Sequence, residues 1–299
     1  MTATTIAIIA PGEMGHAVGA QLCARGARIT TSVAGRSERS IRLARNAGMV
    51  SVDDDDELVR TADIFLSIVP PAAAMGMAER IAAAMRRIRA TPLYVDCNAI
   101  SPATAATVGR TIAGAGARFV DAGIIGGPPR PNGPGPRFYA SGEHVAAFLS
   151  LRDYGLDIRP IGPDIGQASA LKMSYAALTK GLAALGTELL VAANLAGVSE
   201  VLAAEFRDSQ PQLLQWLGKQ LPNIPPKAYR WVAEMEEIAR TFASHGLPSG
   251  IMTGAAECFS FVAGSPLGQE LPESRRQGQT LEAIVEALTA AIHPVGERR

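Results

Sequence analysis

The sequence predicts an α/β protein in which a domain with a doubly wound parallel sheet precedes an all-α domain. Up to residue 163, short apolar runs alternate with helical segments, which is typical of a parallel sheet covered by helices on both faces. Beyond that point the pattern is helical throughout. We therefore expect one domain over residues 1–163 and a second over residues 164–299.

The elements of the first domain follow from its apolar runs. These runs predict strands at Ile6–Ala10, Arg28–Val33, Ile64–Val69, Leu93–Asp96, Phe119–Ala122 and Phe138–Ala140. The spacing between them predicts helices at Gly15–Arg25, Arg39–Ala47, Ala72–Arg89 and Ala103–Ala115. The aspartates at 53–56 predict a solvated loop and the first turn of a further helix, where negative charge is favourable.

The second domain begins with a long helical pattern. It runs from Asp164, a suitable N-cap, to Gly197, a suitable end. Its apolar residues recur every three or four positions and form a stripe, namely Leu171, Tyr175, Leu178, Leu182, Leu185 and Leu189. We expect this helix to be buried on more than one side, joining the domains and packing against the partner subunit of a homodimer. The patterns at 230–244, 251–262 and 281–292 predict further helices.

The composition excludes several classes of function. The chain carries 28 basic and 28 acidic residues, so no net charge would attract nucleic acid or an anionic membrane. Cys23, Cys97 and Cys258 are widely separated, which fits neither a disulfide framework nor a metal-ligand spacing. The apolar run near the N-terminus is interpreted as a strand and not as a signal segment. We expect a soluble, cytoplasmic protein that acts on a small molecule without a metal.

The first strand leads into a turn that is suited to phosphate. The run I-A-I-I-A-P-G-E-M-G is a G-x-G-x-x-G pattern with Ala10 at the first glycine. At such a turn, backbone N–H groups and the positive end of a helix dipole meet the pyrophosphate of a dinucleotide. A strand, turn and helix that merely need small residues would show the same pattern. We predict a dinucleotide-binding Rossmann domain with cofactor contacts from Pro11, Gly12, Glu13, Met14 and Gly15.

The end of the second strand indicates which cofactor is bound. Sites that prefer NAD place an Asp or Glu there, which binds the ribose 2′-hydroxyl. Here the strand is followed by Gly35, Arg36 and Ser37, so there is room and a guanidinium for an added phosphate. The sequence therefore favours NADP(H) over NAD(H).

Three further segments follow strands, at the carboxyl edge where ligands of open α/β sheets collect. The turn S-I-V-P-P supplies Val69 and Pro70 as cofactor contacts, and D-C-N supplies Asn98 for cofactor and substrate. The segment D-A-G-I-I-G-G ends in three candidate substrate-binding residues, Ile125, Gly126 and Gly127. The glycines are equally explained by a tight exit from the strand.

In this order the motifs resemble those of the β-hydroxyacid dehydrogenase family, which contains 3-hydroxyisobutyrate dehydrogenase and, more distantly, 6-phosphogluconate dehydrogenase. The G-x-G-x-M-G opening of that family is similar to residues 10–15, and its Asn-Arg-Thr-like segment to 35–37. Its Asp-x-Ser-Thr-x-x-Pro segment is similar to 96–102, and its Asp-Ala-Pro-Val-Ser-Gly-Gly segment to 121–127. The C-terminal helices look like those of a less-studied branch of this superfamily.

The resemblance implies hydride transfer between a nicotinamide and a β-hydroxyacid-type substrate, with Lys172 as general acid/base. Asn98 and Ile125 replace serines of the family, and Ala176 replaces an asparagine one turn after the lysine. A less polar pocket would suit a bulkier or more apolar substrate. Two alternatives remain open, an imine reductase-like enzyme and a non-catalytic NADP-binding protein. Lys180, two turns beyond Lys172, is a secondary candidate.

Overall fold

A computed structural model describes residues 4–130, 133, 135–273 and 275–292. The chain divides into two compact units, 1–174 and 175–299. The division lies inside the long helix, later than the boundary at residue 163 that the sequence suggests. The reason is physical, because the first turns of that helix are hydrogen-bonded to strands of the sheet.

The first unit contains an eight-stranded sheet in the order β3-β2-β1-β4-β5-β6-β7-β8. The strands are β1 Thr5–Ile9, β2 Arg28–Ser32, β3 Val50–Val52, β4 Ile64–Ser67, β5 Leu93–Asp96, β6 Phe119–Ile125, β7 Arg137–Ser141 and β8 Asp157–Gly162. Six of them lie where the sequence predicts them. The edge strands β3 and β8 were not predicted, because they are short or carry alternating polar residues and Pro160.

One strand pair departs from the expected parallel arrangement. Strands β6 and β7 are antiparallel, whereas the other paired neighbours are parallel. A parallel pair needs a crossover of about a dozen residues or more, usually a helix. The segment between Ile125 and Arg137 is shorter and contains no helix among its described residues, so the chain returns as a hairpin.

Helices cover both faces of the sheet, which confirms the doubly wound fold. They are α1 Glu13–Ala24, α2 Glu38–Asn46, α3 Asp55–Thr61, α4 Ala74–Ile88, α5 Pro102–Ala113 and α6 Val145–Phe148. Side chains of β1 alternate between two apolar clusters, with Ile6 and Ile8 in one and Ala7 and Ile9 in the other. All four are fully buried, as expected for a central strand.

The second unit is helical in its described residues, as predicted. The helix α7, Gln167–Leu195, spans the division between the units and ends just before Gly197, whose φ of 71° suits a helix end. The helices that follow are α8 Ser199–Ser209, α9 Pro211–Gln220, α10 Ala228–Ser244, α11 Gly250–Gly264 and α12 Leu281–Ala290.

The apolar stripe of α7 does not face the core. Leu178 and Leu185 are 70% and 57% exposed. Most of the buried positions carry small residues instead, such as Ala183 and Ala184. At Gly186 an added Cβ would lie 2.3 Å from Leu217, so neighbouring helices approach closely on this face. We expected this helix to be buried on more than one side; within the single chain its small-residue face is buried, because small residues allow closer packing, and its large apolar residues stay outside.

Among the described helices, only α7 is long and apolar enough to cross a membrane by length and composition. Such a helix is weak evidence for a span, because core helices pass the same test. In its most apolar window 44% of the residues are buried within the protein.

Candidate active site

The turn between β1 and α1 has the features of a phosphate cradle. Gly12 is the N-cap residue of α1 and has no side chain that could accept hydrogen bonds from the first N–H groups of the helix. A Cβ at Gly12 would meet no described heavy atom within 4 Å, whereas one at Gly15 would lie 2.0 Å from the Ala10 carbonyl oxygen. Gly15 is therefore needed for packing, and Gly12 leaves open space above the turn.

The other predicted residues of this turn divide between core and helix start. Pro11 is buried, and Met14 is partly buried against the apolar cluster that contains Ile6 and Ile8. Glu13 is the first residue of α1, where its charge suits the helix dipole. Met14 thus packs the turn against the core of the first unit.

The end of β2 carries positive charge beside open backbone. Gly35 has a φ of 68°, and Arg36 is half-buried directly after it. Burial and then the charge of Arg80 lower the pKa of the Arg36 guanidinium, while Asp55 acts in the opposite direction. Ser37 caps α2 by accepting a hydrogen bond from the Ser40 N–H at 3.3 Å. The guanidinium groups of Arg36 and Arg80 are therefore close enough to repel each other, beside the end of β2.

Asn98 ties the ends of β4 and β5 together. Its side-chain oxygen accepts the Val69 N–H at 2.7 Å. Its Nδ2 donates to Ser67 Oγ and to Asp96 Oδ2, each at 3.0 Å. Because both amide hydrogens are used within the protein, this geometry favours a role for Asn98 in shaping the sheet edge. Val69 is half-buried at that edge, and Pro70 beside it is exposed.

Two carboxylates lie side by side beneath this edge. Asp96 and Asp121 are paired on neighbouring strands, and each is 1% exposed. Burial raises the pKa of Asp96 to about 7; the charge of Asp121 adds to the rise, and hydrogen bonds from Asn98 oppose it. Burial also raises the pKa of Asp121.

Asp96 should make stability depend on pH in an unusual direction. An acid with a raised pKa binds its proton more tightly in the folded state, so the free energy of unfolding falls as pH rises from about 4 to 7. The pKa of about 7 sets an upper limit of about 4 kcal/mol on this fall. We expect Asp96→Asn to reduce this fall and to leave the part that comes from the raised pKa of Asp121, as measured by urea unfolding at pH 5 and pH 8.

Asp157→Asn is the matched control for this experiment. The hydrogen bond from Arg159 lowers the pKa of Asp157, so that residue contributes no slope between pH 5 and pH 8. Equal pH slopes in the wild-type protein and in Asp96→Asn would contradict the assignment.

Strand β6 presents a flat face to the start of α7. By alternation Asp121, Gly123 and Ile125 point to the same side. A Cβ at Gly123 would lie 2.9 Å from both the Ala168 carbonyl oxygen and the Lys172 Cβ. The start of α7 thus packs directly on β6, and the Cβ of Lys172 lies against the strand that carries Ile125.

The paired glycines after β6 differ in their surroundings. Gly126 has a φ of 120°, and its Cβ position lies 3.2 Å from Pro136 Cα. A Cβ at Gly127 would meet no described atom within 4 Å. Gly126 therefore serves the turn, while Gly127 leaves its backbone approachable by a ligand.

Lys172 is half-buried, and Ala176, one turn later, is buried. The expected N-cap Asp164 contacts the side chain of Gln167 at the start of the helix. The N–H groups of Gly166 and Ser169 donate instead to Asp121 Oδ2, at 2.9 Å and 3.0 Å. The structure thus gives Asp121 a capping role that the sequence motif does not indicate, because its partners are distant in sequence.

Lys180 belongs to a different environment. Its Nζ lies 2.7 Å from Glu234 Oε1 and 4.9 Å from the centre of the Trp231 ring. This largely buried ion pair holds α7 to α10 within the second unit.

The first unit brings most of the predicted residues to one edge. The carboxyl ends of β1 and β4 are joined by the Ala10 N–H, which donates to the Ile68 carbonyl at 3.0 Å. Val69 and Asn98 follow on adjacent strands, and Gly123 brings Lys172 to the next. These residues thus lie at the carboxyl ends of neighbouring strands, which is where open α/β sheets bind their ligands.

Comparisons with known proteins agree with this geometry. Residues 5–147 match the NAD binding domain of 6-phosphogluconate dehydrogenase, and residues 193–262 match a domain of unknown function, DUF1932. An uncharacterized 28.5 kDa protein of Methanothermus fervidus is 32% identical over 220 residues, 73% of this chain and 83% of that protein. The chain belongs to the β-hydroxyacid dehydrogenase family. Its N-terminal domain is a nicotinamide-nucleotide-binding domain, and its family is one of oxidoreductases.

Two solved structures extend the comparison across the chain. The conserved protein MTH1747, of unknown function and described as similar to 3-hydroxyacid dehydrogenases, is 30% identical with a TM-score of 0.63. The match covers 87% of this chain and 96% of that one. A 3-hydroxyisobutyrate dehydrogenase from Salmonella typhimurium shares the fold, with 16% identity and a TM-score of 0.69. The match covers 95% of the present chain and 99% of the Salmonella chain.

Proposed function

We propose that this family member is an NADP(H)-dependent oxidoreductase that acts on a β-hydroxyacid-type substrate, with Lys172 as general acid/base. The observation that carries the proposal is the seating of Lys172 on β6 at Gly123, on the strand next to β5 and Asn98. A substrate at this edge would lie within reach of both a lysine side chain and the dinucleotide turn.

The residues at the β1–α1 turn fit a dinucleotide. Gly12 leaves open space beside the start of α1, and the helix has no side-chain cap at that residue. The N–H groups there would hold the pyrophosphate, and Val69 and Pro70 would flank the cofactor at the end of β4. The nicotinamide, when bound, supplies or accepts the hydride.

Lys172 would control the proton of the reacting hydroxyl group. Its ammonium would donate a hydrogen bond to the substrate oxygen, stabilising negative charge as the neighbouring carbon is oxidised or reduced. The Gly126 and Gly127 N–H groups would orient a substrate carboxylate, and Ile125 would give the pocket an apolar wall. Asn98 would act by holding Val69 in place.

Arg36 would select the phosphorylated cofactor. We expect Arg36→Ala to raise the Kd for NADPH by about 10-fold to 100-fold, the range for losing a charge-assisted hydrogen bond. The Kd for NADH should change by less than about twofold, because NADH lacks the 2′-phosphate. Fluorescence titration measures both values, with the exposed Arg42→Ala in α2 as control. Equal losses for NADPH and NADH would overturn the assignment.

The experiment that tests the whole proposal is this titration followed by a substrate panel with the preferred cofactor. The panel contains β-hydroxyacids, aldehydes and imines. Oxidation of β-hydroxyacids supports the proposal, and turnover of imines alone supports an imine reductase-like enzyme. Tight NADPH binding with no turnover in any class would identify a non-catalytic cofactor-binding protein.

We also propose that the enzyme acts as a homodimer in the cytoplasm. The exposed apolar residues of α7, including Leu178 and Leu185, would be covered by a partner subunit. Light scattering after gel filtration should give a mass near 62 kDa, about twice that of the 31.2 kDa chain.

A further inference from the structure

A buried carboxylate of the central sheet lies next to the helix that carries Lys172. Asp121 is 1% exposed and lies on β6, which has β5 on one side and β7 on the other. Its Oδ2 accepts hydrogen bonds from the N–H groups of Gly166 and Ser169 and from Ser141 Oγ. Its Oδ1 accepts the Ser169 hydroxyl at 2.7 Å. Both oxygens of the carboxylate are therefore turned towards the start of one helix.

These contacts use the favourable end of a helix. A 29-residue helix begins at Gln167, and its first N–H groups have no partners within the helix itself. A carboxylate at that end is stabilised by the helix dipole as well as by direct hydrogen bonds. The same hydrogen bonds lower the pKa of Asp121 against the rise caused by burial. The buried negative charge of Asp121 is thus placed at the N-terminus of the helix, where the helix dipole favours it.

A second strand completes the attachment. Ser141 on β7 accepts the Ala168 N–H at 3.0 Å and donates to Asp121 Oδ2 at 3.1 Å. At Gly123 there is no space between β6 and the helix, because an added Cβ would lie 2.9 Å from helix atoms. Three amides at the start of the helix are thus held by two strands, while the strand surface prevents closer approach.

Lys172 lies one turn beyond this attachment, and its Cβ makes the contact with Gly123. A shift of the first turn would therefore move the lysine along β6. We propose that Asp121 is a positioning residue that fixes the amine of Lys172 over the carboxyl end of β6, with Ser141 and Ser169 as its supports. This inference rests on the proposed function of Lys172.

The test is a double-mutant cycle between Asp121→Asn and Lys172→Met. Turnover is measured with NADP⁺ and 3-hydroxypropionate, the smallest β-hydroxyacid, and NADPH affinity is measured in parallel. We expect Asp121→Asn to lower kcat by about 10-fold to 100-fold, as a displaced catalytic group does. The Kd for NADPH should stay within about twofold. In the Lys172→Met background the same change should have an effect on kcat below about twofold.

A second readout does not depend on turnover. Acetylation of Lys172 by a soluble reagent, followed by peptide mass spectrometry, reports the surroundings of its amine, with the exposed Lys219 as internal reference. We expect Asp121→Asn to change the Lys172 to Lys219 labelling ratio by about fivefold or more. Ser169→Ala removes only the Oδ1 contact and should give a smaller change in the same direction. If Asp121→Asn does not fold, Ser169→Ala is the variant that tests the inference.

Asp54→Asn is the matched control, because Asp54 caps α3 by accepting the Glu57 N–H at 2.8 Å. It should leave both kcat and the labelling ratio unchanged. The inference is overturned if Asp121→Asn leaves kcat and labelling unchanged. It is also overturned if Asp121→Asn lowers kcat as much in the Lys172→Met background as in the wild-type background. Full activity in Lys172→Met would instead overturn the proposed function.

Discussion

Lys172→Met is expected to lower kcat by about 100-fold to 10,000-fold, the usual contribution of a general acid/base. Methionine keeps the length and apolar contacts of the side chain but has no proton to donate. Because the Lys172 atom that packs on Gly123 is its Cβ, which methionine keeps, the substitution leaves the helix in place. The Kd for NADPH should therefore change by less than about twofold. Steady-state kinetics on the substrate found in the panel, together with fluorescence titration, measures both quantities.

Two variants sharpen this result. Lys219→Met changes an exposed lysine of α9 and should leave kcat unchanged. Lys172→Arg keeps the charge but holds its proton at neutral pH, so it should recover binding of an anionic substrate more than kcat. Wild-type turnover in Lys172→Met would show that the proton is handled by another group.

Gly15→Ala is expected to cost about 3 kcal/mol of folding free energy, at the upper end of the overpacking range. The new Cβ would lie 2.0 Å from the Ala10 carbonyl oxygen, and both atoms belong to the backbone or are fixed to it. Neither a rotamer change nor a small side-chain movement relieves this contact. Urea unfolding measures the loss, and NADPH binding should weaken with it because α1 moves away from the turn.

Gly12→Ala is the control that separates packing from cofactor approach. A Cβ at Gly12 meets no described atom within 4 Å, and the φ of −79° at Gly12 suits alanine. The free energy of unfolding should therefore stay unchanged. The added methyl group lies where the pyrophosphate would approach, so the Kd for NADPH should rise by about tenfold. Unchanged stability in Gly15→Ala would show that the turn is more plastic than this geometry implies.

Local patterns in the sequence were sufficient for most of the first unit. The apolar alternation of β1 and the small residues after it specify strand, turn and helix within one short stretch, so Gly12 and Gly15 could be identified without a structure. The end of β2 is equally local, because Gly35, Arg36 and Ser37 are adjacent in the chain. Predicted helix ends lie close to the observed ones where a local cap such as Ser37 is present.

Other features depended on partners that are far apart in sequence. The roles of Asn98 and Asp121 are examples: Asn98 bonds to Val69, and Asp121 bonds to Ser169, whose N–H lies 48 positions away. A hydrophobicity pattern records how apolar a face is but not what covers it. The stripe containing Leu178 could therefore be recognised as apolar, but only the structure shows that it lies outside the core of this chain.

The sequence by itself determined the α/β architecture and the dinucleotide turn, because both depend on periodicity and on residues adjacent in the chain. The role expected of Lys172 came from the family resemblance and not from these patterns. Only the tertiary structure decided that β7 runs antiparallel, that Asp121 caps α7 in place of Asp164, and that the small face of α7 is the buried one. Each of these depends on which segments meet in space, and the energies of hydrogen bonding and close packing act there irrespective of separation along the chain.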